Sequence, residues 1–400
     1  MYDHNLYNKF KNFWLMIASS VFSRVGFSSF NLIAIWVILY LTHSPLLSGL
    51  ADGSMSAPLF LSFIMGAYVD SFKDKKLLAI ISGILRILSL TLLLAGSLLD
   101  NIIIIILGVY FAGFMIGFTS DLINSVRAYW TKEFLDESQY KAGTSVSGMA
   151  FTIAEGVGFV ASGAFLALGI TDAFFIVLAL FIASLIPLTF IKAYKDDDEQ
   201  KISIFENIKS GFSFLAGNRS IIEMLIVTLI GNLILNIAGI LFIFLIQIKY
   251  SLPAFFVSYV FGTLLFGMFL GSMLGRKISG KIGNIIGLTF ITVGFSLLSI
   301  YFIKNIYMTF LPAATIGIAA GMSNVATGAA ILKIVPQSFM ARVQGTINTF
   351  GVAGITASGI IGGALVQLVG ILSAFLMLGV VFIFISPLLI ILKSMRQIYV

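Results

Sequence analysis

The sequence predicts an all-α membrane protein with twelve transmembrane helices in two pseudo-symmetric six-helix bundles. Three observations support this fold class: 59% of the 400 residues are apolar, only 10% are charged, and the mean hydropathy is +1.07. Soluble domains carry about a quarter charged residues, so little of this chain is left for a separate soluble catalytic domain. The membrane-embedded part must therefore carry the function.

Apolar segments of about 20 residues can cross the hydrocarbon core of a bilayer, and charged or turn-forming residues mark their ends. The polar stretch 195–219 separates six such segments from six more. This division predicts an N-terminal bundle at 1–194, a cytoplasmic linker at 195–219 and a C-terminal bundle at 220–400. The predicted spans are 13–41, 47–69, 77–99, 102–129, 143–168, 172–193, 220–248, 254–275, 284–303, 306–332, 341–368 and 371–392.

The distribution of basic residues supports an even number of spans and predicts their orientation. Cytoplasmic loops are enriched in Lys and Arg. With both termini inside, 20 of the 24 basic residues lie on the cytoplasmic side. Lys249 and Lys304 fall outside, and Arg24 and Arg86 lie within spans. The net charge of +7 therefore reflects topology rather than nucleic-acid binding.

The linker begins as a charged run and continues as an amphipathic segment. Its apolar residues recur at helical spacing, which is typical of a helix on the inner membrane surface. These residues are Ile204, Ile208, Phe212 and Leu215.

Residue types that are absent or rare exclude several kinds of site. The chain has no cysteine and only two histidines, His4 and His43. Disulfides, thiolate metal sites and cysteine nucleophiles are excluded, and a histidine-lined metal path is not expected. The sequence also has no ATP-binding loop and no HExxH zinc motif. We expect no metal, no cofactor and no enzymatic activity.

Two loops at equivalent positions of the halves are similar, as expected of an internal repeat. The loop after the second span reads GAYVDSFKDKK (Gly66 to Lys76), and the loop after the eighth reads GSMLGRKISGK (Gly271 to Lys281). Each has a glycine at a helix end, and each ends in a basic cluster.

The first of these loops resembles the loop after helix 2 in the major facilitator superfamily. In that family a glycine is followed four residues later by Asp, and then by Arg, Gly and basic residues. Ser71, Lys73 and Asp74 depart from this pattern. The residues of the first loop that match are Gly66, Asp70, Lys75 and Lys76. In the second loop, Arg276 matches the arginine of the pattern.

The resemblance implies that Asp70 is a gating residue. In the family this carboxylate meets the N-terminal end of helix 11 when the protein opens outward. Unpaired backbone N–H groups favour an anion at such an end. Here that helix would begin after Pro336, near Ser338 to Arg342.

Three further segments are similar to the macrolide-efflux-like branch of drug exporters. LTHS (Leu41 to Ser44) ends the first helix, and VPQSFMARVQG (Val335 to Gly345) precedes the eleventh. The stretch IKSGFSFLAGNRS is similar to the approach to the seventh helix in this branch. The resemblance implies the major facilitator fold over essentially the whole chain and drug export as its activity.

Charged residues within a span are costly and are therefore candidates for function. Glu155 lies about 18 Å into the fifth span, near the bilayer centre. A desolvated carboxyl there is suited to taking up and releasing a proton as access alternates, although a structural bond to Arg24 explains it as well. After Glu223 the chain has no Asp or Glu, so a proton-carrying carboxylate must lie in the first half.

Arg86 and Asp121 are two more charges within spans. Both lie roughly 9–15 Å from the inner ends of their helices, which makes an ion pair between them plausible. We favour a structural or gating role for this pair, and we keep Asp121 as a second candidate for proton coupling.

Asparagines at mid depth are the candidates for substrate contact. If the family fold is present, they lie on the four helices that line its central cavity, helices 1, 4, 7 and 10. Bonds between helices explain them equally well. The candidates are Asn31, Asn124, Asn232, Asn236 and Asn324.

The sequence thus predicts a secondary transporter that exports hydrophobic or amphiphilic compounds in exchange for protons. A largely uncharged cavity with one carboxylate suits a hydrophobic or weakly cationic solute, whereas a phosphate or dicarboxylate would require converging Arg or Lys. A facilitator or importer of a small neutral solute stays open, and a membrane-embedded enzyme is a remote alternative. We expect a monomer in the cell membrane, in contact with lipids, with both termini cytoplasmic and no nucleic-acid partner.

Overall fold

The computed structural model is largely α-helical and describes residues 4–58, 65, 68–69, 72–99, 101–136, 139–192, 219–334, 354, 357–391 and 398–399. An isolated β-bridge joins Lys281 to Tyr399. The helices of this part of the chain are α1 (His4–Thr42), α2 (Pro45–Ser56), α3 (Lys75–Ser97), α4 (Ile102–Phe134), α5 (Tyr140–Leu168), α6 (Ile170–Phe190), α7 (Arg219–Phe244), α8 (Phe255–Gly275), α9 (Ile282–Phe302), α10 (Ile306–Ile334), α11 (Ala357–Val369) and α12 (Ile371–Ile391).

Within the described residues, ten helices are long and apolar enough to cross a membrane. The other two, α2 and α11, are shorter in their described parts. The predicted spans 47–69 and 341–368 extend beyond those parts into residues that the structure does not describe. The predicted linker 195–219 and its surface helix lie outside the described residues, apart from Arg219 at the start of α7.

Local chemistry accounts for several helix ends. Asp74 caps α3 by accepting a hydrogen bond from the backbone N–H of Leu77 at 2.9 Å. Asn101 caps α4 in the same way, because its side chain accepts from the N–H of Ile103 at 2.9 Å. These caps satisfy donors that a helix leaves unpaired at its start. Gly169, with φ +136°, permits the sharp turn between α5 and α6.

The fourth helix extends five residues beyond the end predicted from hydropathy, to Phe134. Trp130 and Phe134 are buried in this last part, and their rings stack at 5.9 Å. Packing of these two aromatic side chains stabilises the extra turn. As a result, Arg127 lies roughly 10 Å inside the helix instead of at its end.

The described contacts divide the chain into two compact units, the first comprising Met1–His43 and Ala51–Ile202. In this unit α1 packs along α5 and α6, and α3 packs against α4 and α6. Gly158 permits the close contact of α5 with α1, since a Cβ there would overlap Ser28. Ser29 then donates a hydrogen bond to the carbonyl of Gly158 at 2.9 Å.

The second unit comprises Ser44–Leu50 and Ser203–Val400. Here α8 packs along α10, and α9 packs along α12 and α10. After α7 the chain continues as one π-helical turn, Leu245–Lys249. Small residues let α8 and α10 approach closely, because a Cβ on any of four glycines would overlap the backbone of the facing helix. These glycines are Gly267, Gly271, Gly317 and Gly321.

Candidate functional site

Two arginines, a glutamate, an asparagine and a phenylalanine converge in the first unit. Arg24 lies on α1, Asn124 and Arg127 lie on α4, and Phe151 and Glu155 lie on α5. A spacing of three residues on α4 and of four on α5 places each pair on one helix face. We call these five residues the Arg24–Glu155 cluster.

An ion pair joins the first and fifth helices, with Nη1 of Arg24 3.6 Å from Oε2 of Glu155. The two side chains are 28% and 43% exposed, so the pair is only partly enclosed by the unit. Glu155 lies roughly 22 Å from the start of α5 and roughly 20 Å from its end. The bond to Arg24 that was predicted as an alternative explanation of Glu155 is therefore present, at the middle of α5.

Asn124 connects the two arginines of the cluster. Its Oδ1 accepts hydrogen bonds from Nη1 of Arg127 at 3.1 Å and from Nη2 of Arg24 at 3.5 Å. The ring centroid of Phe151 lies 4.6 Å from Cζ of Arg24 and 5.6 Å from Cζ of Arg127. Both distances are within the ~6 Å range of cation–π contacts. One amide and one ring thus hold both guanidinium groups.

The cluster contains more positive than negative charge. Glu155 pairs with Arg24, whereas Arg127 contacts Asn124 and Phe151 but no carboxylate among the described residues. Arg127 is nevertheless 93% buried, being 7% exposed. The predicted cavity was largely uncharged, whereas two arginines lie together in this cluster.

Two members of the Arg24–Glu155 cluster, Arg127 and Phe151, were not predicted from the sequence. The predicted fourth span ended at 129, which placed Arg127 among the ordinary basic residues of the inner surface. The available signal was the apolar pattern of Trp130 and Phe134, which extends the buried face of α4 past Arg127. Phe151 had no signal of its own among 38 phenylalanines.

Arg86 is buried at 1% exposure and binds hydroxyl groups from two helices. The ion pair that the sequence suggested with Asp121 does not form between these two described residues, although Asp121 is also buried. The ring of Phe181 lies 5.3 Å from Cζ of Arg86. Nη1 donates to Oγ of Ser23 at 2.6 Å, and Nη2 donates to Oγ of Ser120 at 2.7 Å. Nε donates to Oγ1 of Thr119 at 2.7 Å.

An amide–carboxylate contact lies between α1 and α2. Nδ2 of Asn31 donates to Oδ1 of Asp52 at 2.6 Å and lies 3.6 Å from Sδ of Met55. Asp52 is 7% exposed. The pair joins two helices, and no pattern within either helix indicates it. Asn31, a candidate for substrate contact, is engaged by this carboxylate.

The candidate asparagines of the second unit are not brought together in one cluster by their described contacts. Nδ2 of Asn236 donates to the carbonyl of Asn232 at 2.8 Å, a bond within one turn of α7. Both are half-buried, and Asn324 on α10 is exposed.

Two basic residues of the predicted gating loop bind backbone carbonyls. Nζ of Lys75 donates to the carbonyl of Phe72 at 2.6 Å. Nζ of Lys76 donates to the carbonyls of Thr189 and Ile191 at 2.8 and 2.7 Å. These two carbonyls end α6, where a cation satisfies unpaired acceptors. Lys76 therefore ties the start of α3 to the end of α6.

The other members of the gating motif are only partly described. Gly66, Asp70 and the segment 338–342 lie outside the described residues. Arg276 is exposed just after α8. The gate implied for Asp70 stays a prediction.

Three solved structures with a similar fold are of transporters. The nucleoside transporter NupG aligns with a TM-score of 0.68 and 14% identity over 96% of this chain and 100% of that one. A POT family transporter in complex with 5-aminolevulinic acid aligns with a TM-score of 0.69 and 15% identity over 96% of both chains. A bacterial homolog of the human lysosomal transporter Spinster aligns with a TM-score of 0.68 and 13% identity over 98% of both. At these identities the similarity shows the fold alone.

Comparison of the sequence itself points to the same class of protein. No curated protein sequence matches the chain. The family model of the Major Facilitator Superfamily matches residues 16–355, and this match does not distinguish the branches of the family. It confirms the predicted fold class and indicates a multi-pass membrane transporter rather than an enzyme. The chain belongs to the major facilitator superfamily.

Proposed function

We propose that this transporter exports hydrophobic or amphiphilic compounds in exchange for protons, by alternating access. The observation that carries the proposal is the partly exposed ion pair between Glu155 and Arg24 at the middle of α5. A carboxylate in this position can exchange its cationic partner for a proton or for the cation of a solute. The resemblance to the macrolide-efflux-like branch supports export as the direction.

Protonation of Glu155 changes the contacts that hold α1 against α5. The proton removes the negative charge that binds Arg24. Arg24 then keeps its hydrogen bond to the amide of Asn124 at 3.5 Å and its contact with the ring of Phe151. An unpaired charge in a low-dielectric surrounding is costly, so the two protonation states favour different arrangements of the helices. A proton that biases two states in this way can be coupled to transport.

A cationic amphiphile would compete with the proton for Glu155. Its cation would replace Arg24 at the carboxylate, and the ring of Phe151 offers an apolar surface beside that carboxylate. Since the proton and the cation cannot occupy the same carboxylate together, the two would cross the membrane in opposite directions. Asp121 is the second candidate for this coupling.

Uptake or facilitated passage of a small neutral solute is the second candidate function. The amide side chains of Asn31, Asn124, Asn232, Asn236 and Asn324 suit such a solute, and the similar protein NupG is a nucleoside transporter. In this case Glu155 and Arg24 form a structural pair and carry no proton.

We propose a monomer in the cell membrane with both termini in the cytoplasm, as the basic loops indicate. Asp70, with the basic residues of its loop, is proposed as the gate.

Proton movement in sealed liposomes that contain the purified protein tests the function. A panel of lipophilic cations is added to wild type and to Glu155→Gln, and the internal pH is followed with a trapped dye. We expect proton flux that depends on the added compound in wild type and its loss in Glu155→Gln, because the amide cannot carry a proton.

The matched control is Asp172→Asn, which removes an exposed carboxylate in the first turn of α6. It should keep the flux. Transport of the cations without proton flux, unchanged in Glu155→Gln, would show that the mechanism is wrong and would favour the facilitator.

A further inference from the structure

We propose that the Arg24–Glu155 cluster binds the carboxylate of an acidic amphiphile, held by Arg127 and Arg24 together. The ligand class is a single carboxylate attached to an aromatic or other flat apolar body. This inference rests on the proposed function in one respect, that the cluster faces the transported solute. It departs from the uncharged or cationic solute that the sequence favoured.

The charges of the cluster are the first reason. Two guanidinium groups face one carboxylate, and only Arg24 is paired with it. Guanidinium stays protonated in proteins, so Arg127 brings a buried positive charge that no described carboxylate neutralises. Buried charges are normally paired. A bound anion would supply the missing partner.

Buried polar atoms that have no hydrogen-bond partner among the described residues are the second reason. Nε of Arg24 and Nη2 of Arg127 are two of them, and Nε1 of Trp130 and Oγ of Ser147 are two more. Trp130 follows Arg127 by three residues, and Ser147 precedes Phe151 by four, so each lies on the face of its helix that carries a cluster residue. All four atoms can donate a hydrogen bond. A group of unused donors indicates a ligand rich in acceptor oxygens.

Asn124 marks where an oxygen of that ligand would lie. Its Oδ1 accepts from Nη1 of Arg127 and from Nη2 of Arg24, so both guanidinium groups already point at one oxygen atom. The side chain of Asn124 is exposed and can turn away. A carboxylate in its place would bind more strongly, because hydrogen bonds between charged groups exceed those to a neutral amide.

Phe151 determines the shape of the body attached to the carboxylate. Its ring lies against both guanidinium groups, at 4.6 and 5.6 Å from their Cζ atoms. A flat apolar group can stack beside this ring while the acid reaches the arginines. A small polar acid lacks this contact and is expected to bind more weakly.

The same geometry determines how acid and proton influence each other. The bound carboxylate and Glu155 compete for Arg24, so protonation of Glu155 strengthens acid binding, and the acid strengthens proton binding by the same factor. A simple acid would therefore travel with the proton. An acid that also carries an amine places a cation at Glu155 and competes with the proton, as export by exchange requires.

Binding to the purified full-length protein in detergent at pH 7 tests the inference. Naphthylacetic acid, naphthylacetamide and naphthylethylamine are compared by titration calorimetry, because they share one aromatic body. We expect the acid to bind wild type roughly tenfold more tightly than the amide, the effect of one hydrogen bond to a charged group. Arg127→Gln should reduce this preference to less than about twofold, and Arg127→Lys should retain part of it.

The matched control is Lys304→Gln, which removes one exposed positive charge from the other unit and should leave the preference unchanged. Equal affinity of wild type for the acid and the amide would overturn the inference, whatever the stability of the variants. Acid binding combined with proton movement in the same direction as the acid would support the inference and contradict export by exchange. Lipophilic cations could instead drive a proton exchange that is lost in Glu155→Gln, while wild type shows no preference for the acid. This result would support export by exchange and overturn the inference.

Discussion

Arg86 shows how one side chain can connect several helices without an ion pair. Its three nitrogen groups donate to hydroxyls from α1 and α4 at 2.6 to 2.7 Å, and its face lies against Phe181 of α6. The planar guanidinium spreads its donors in a fixed fork, which suits three separate acceptors. The residue therefore joins α3, on which it lies, to three other helices of the first unit.

Replacement of Arg86 tests whether geometry or charge matters at this position. We expect Arg86→Lys to lower the free energy of unfolding by about 2 kcal/mol or more, because the ammonium stays charged and buried but cannot reach all three hydroxyls. Arg86→Met should cost less, since it removes the buried charge and the hydroxyls can bond to backbone carbonyls. The measurement is thermal or denaturant unfolding of the purified variants in detergent.

Arg276→Lys and Arg276→Met are the matched controls, because Arg276 is exposed. Both should behave as wild type. A greater loss of stability in Arg86→Met than in Arg86→Lys would contradict this account.

Small residues determine how the helices of the second unit pack. A Cβ on Gly271 would overlap the backbone of Ile318, and a Cβ on Gly317 would overlap that of Leu264. The contact between α8 and α10 is therefore made by glycines on both helices. Backbone atoms cannot move aside as a flexible side chain can, so the spacing of the two helices depends on these positions.

Alanine substitutions at these glycines separate packing from helix propensity. We expect Gly271→Ala and Gly317→Ala each to destabilise the protein by about 1–3 kcal/mol, because the added methyl group separates the helices. Gly328→Ala, also on α10, meets open space and should stabilise by up to about 1 kcal/mol through helix propensity. Unfolding in detergent measures all three. Equal effects at Gly271 and Gly328 would exclude the packing explanation.

For the whole molecule, the ionisable chemistry is concentrated in one unit. The Arg24–Glu155 cluster, Arg86 and the Asn31–Asp52 contact all belong to the first unit. The chain has no Asp or Glu after Glu223. Any proton that a carboxylate side chain carries must therefore be handled by the first unit, or by Glu206 or Glu223 of the second.

The orientation of the whole molecule can be tested directly, because the chain contains no cysteine. Single cysteines at Lys304 and Lys277, both exposed, lie on opposite sides of the predicted membrane. We expect a membrane-impermeant maleimide to label Lys304→Cys in intact cells and to label Lys277→Cys only after permeabilisation. The reverse pattern would place the termini outside.

The sequence alone predicted most of the helices correctly. When the π-helical turn Leu245–Lys249 is counted with α7, predicted and observed helix ends agree within three residues, apart from the start of α1, the end of α4 and the two partly described spans. Hydropathy is a local property, and the thickness of a bilayer determines the length of an apolar segment, so these features need no tertiary contact. The same reasoning identified Glu155 and Arg24 as charges that require an explanation.

Only the tertiary structure decided which side chains meet. Arg24 and Asn124 are 100 residues apart in the chain, and Arg127 belongs to the site because α4 continues past the predicted end. These contacts depend on the rotation of each helix about its axis, and nearly uniform apolar segments contain little information about that rotation. The sequence therefore determined that this protein is a helical membrane protein with few buried charges, whereas packing decided that two of its arginines converge on one amide oxygen.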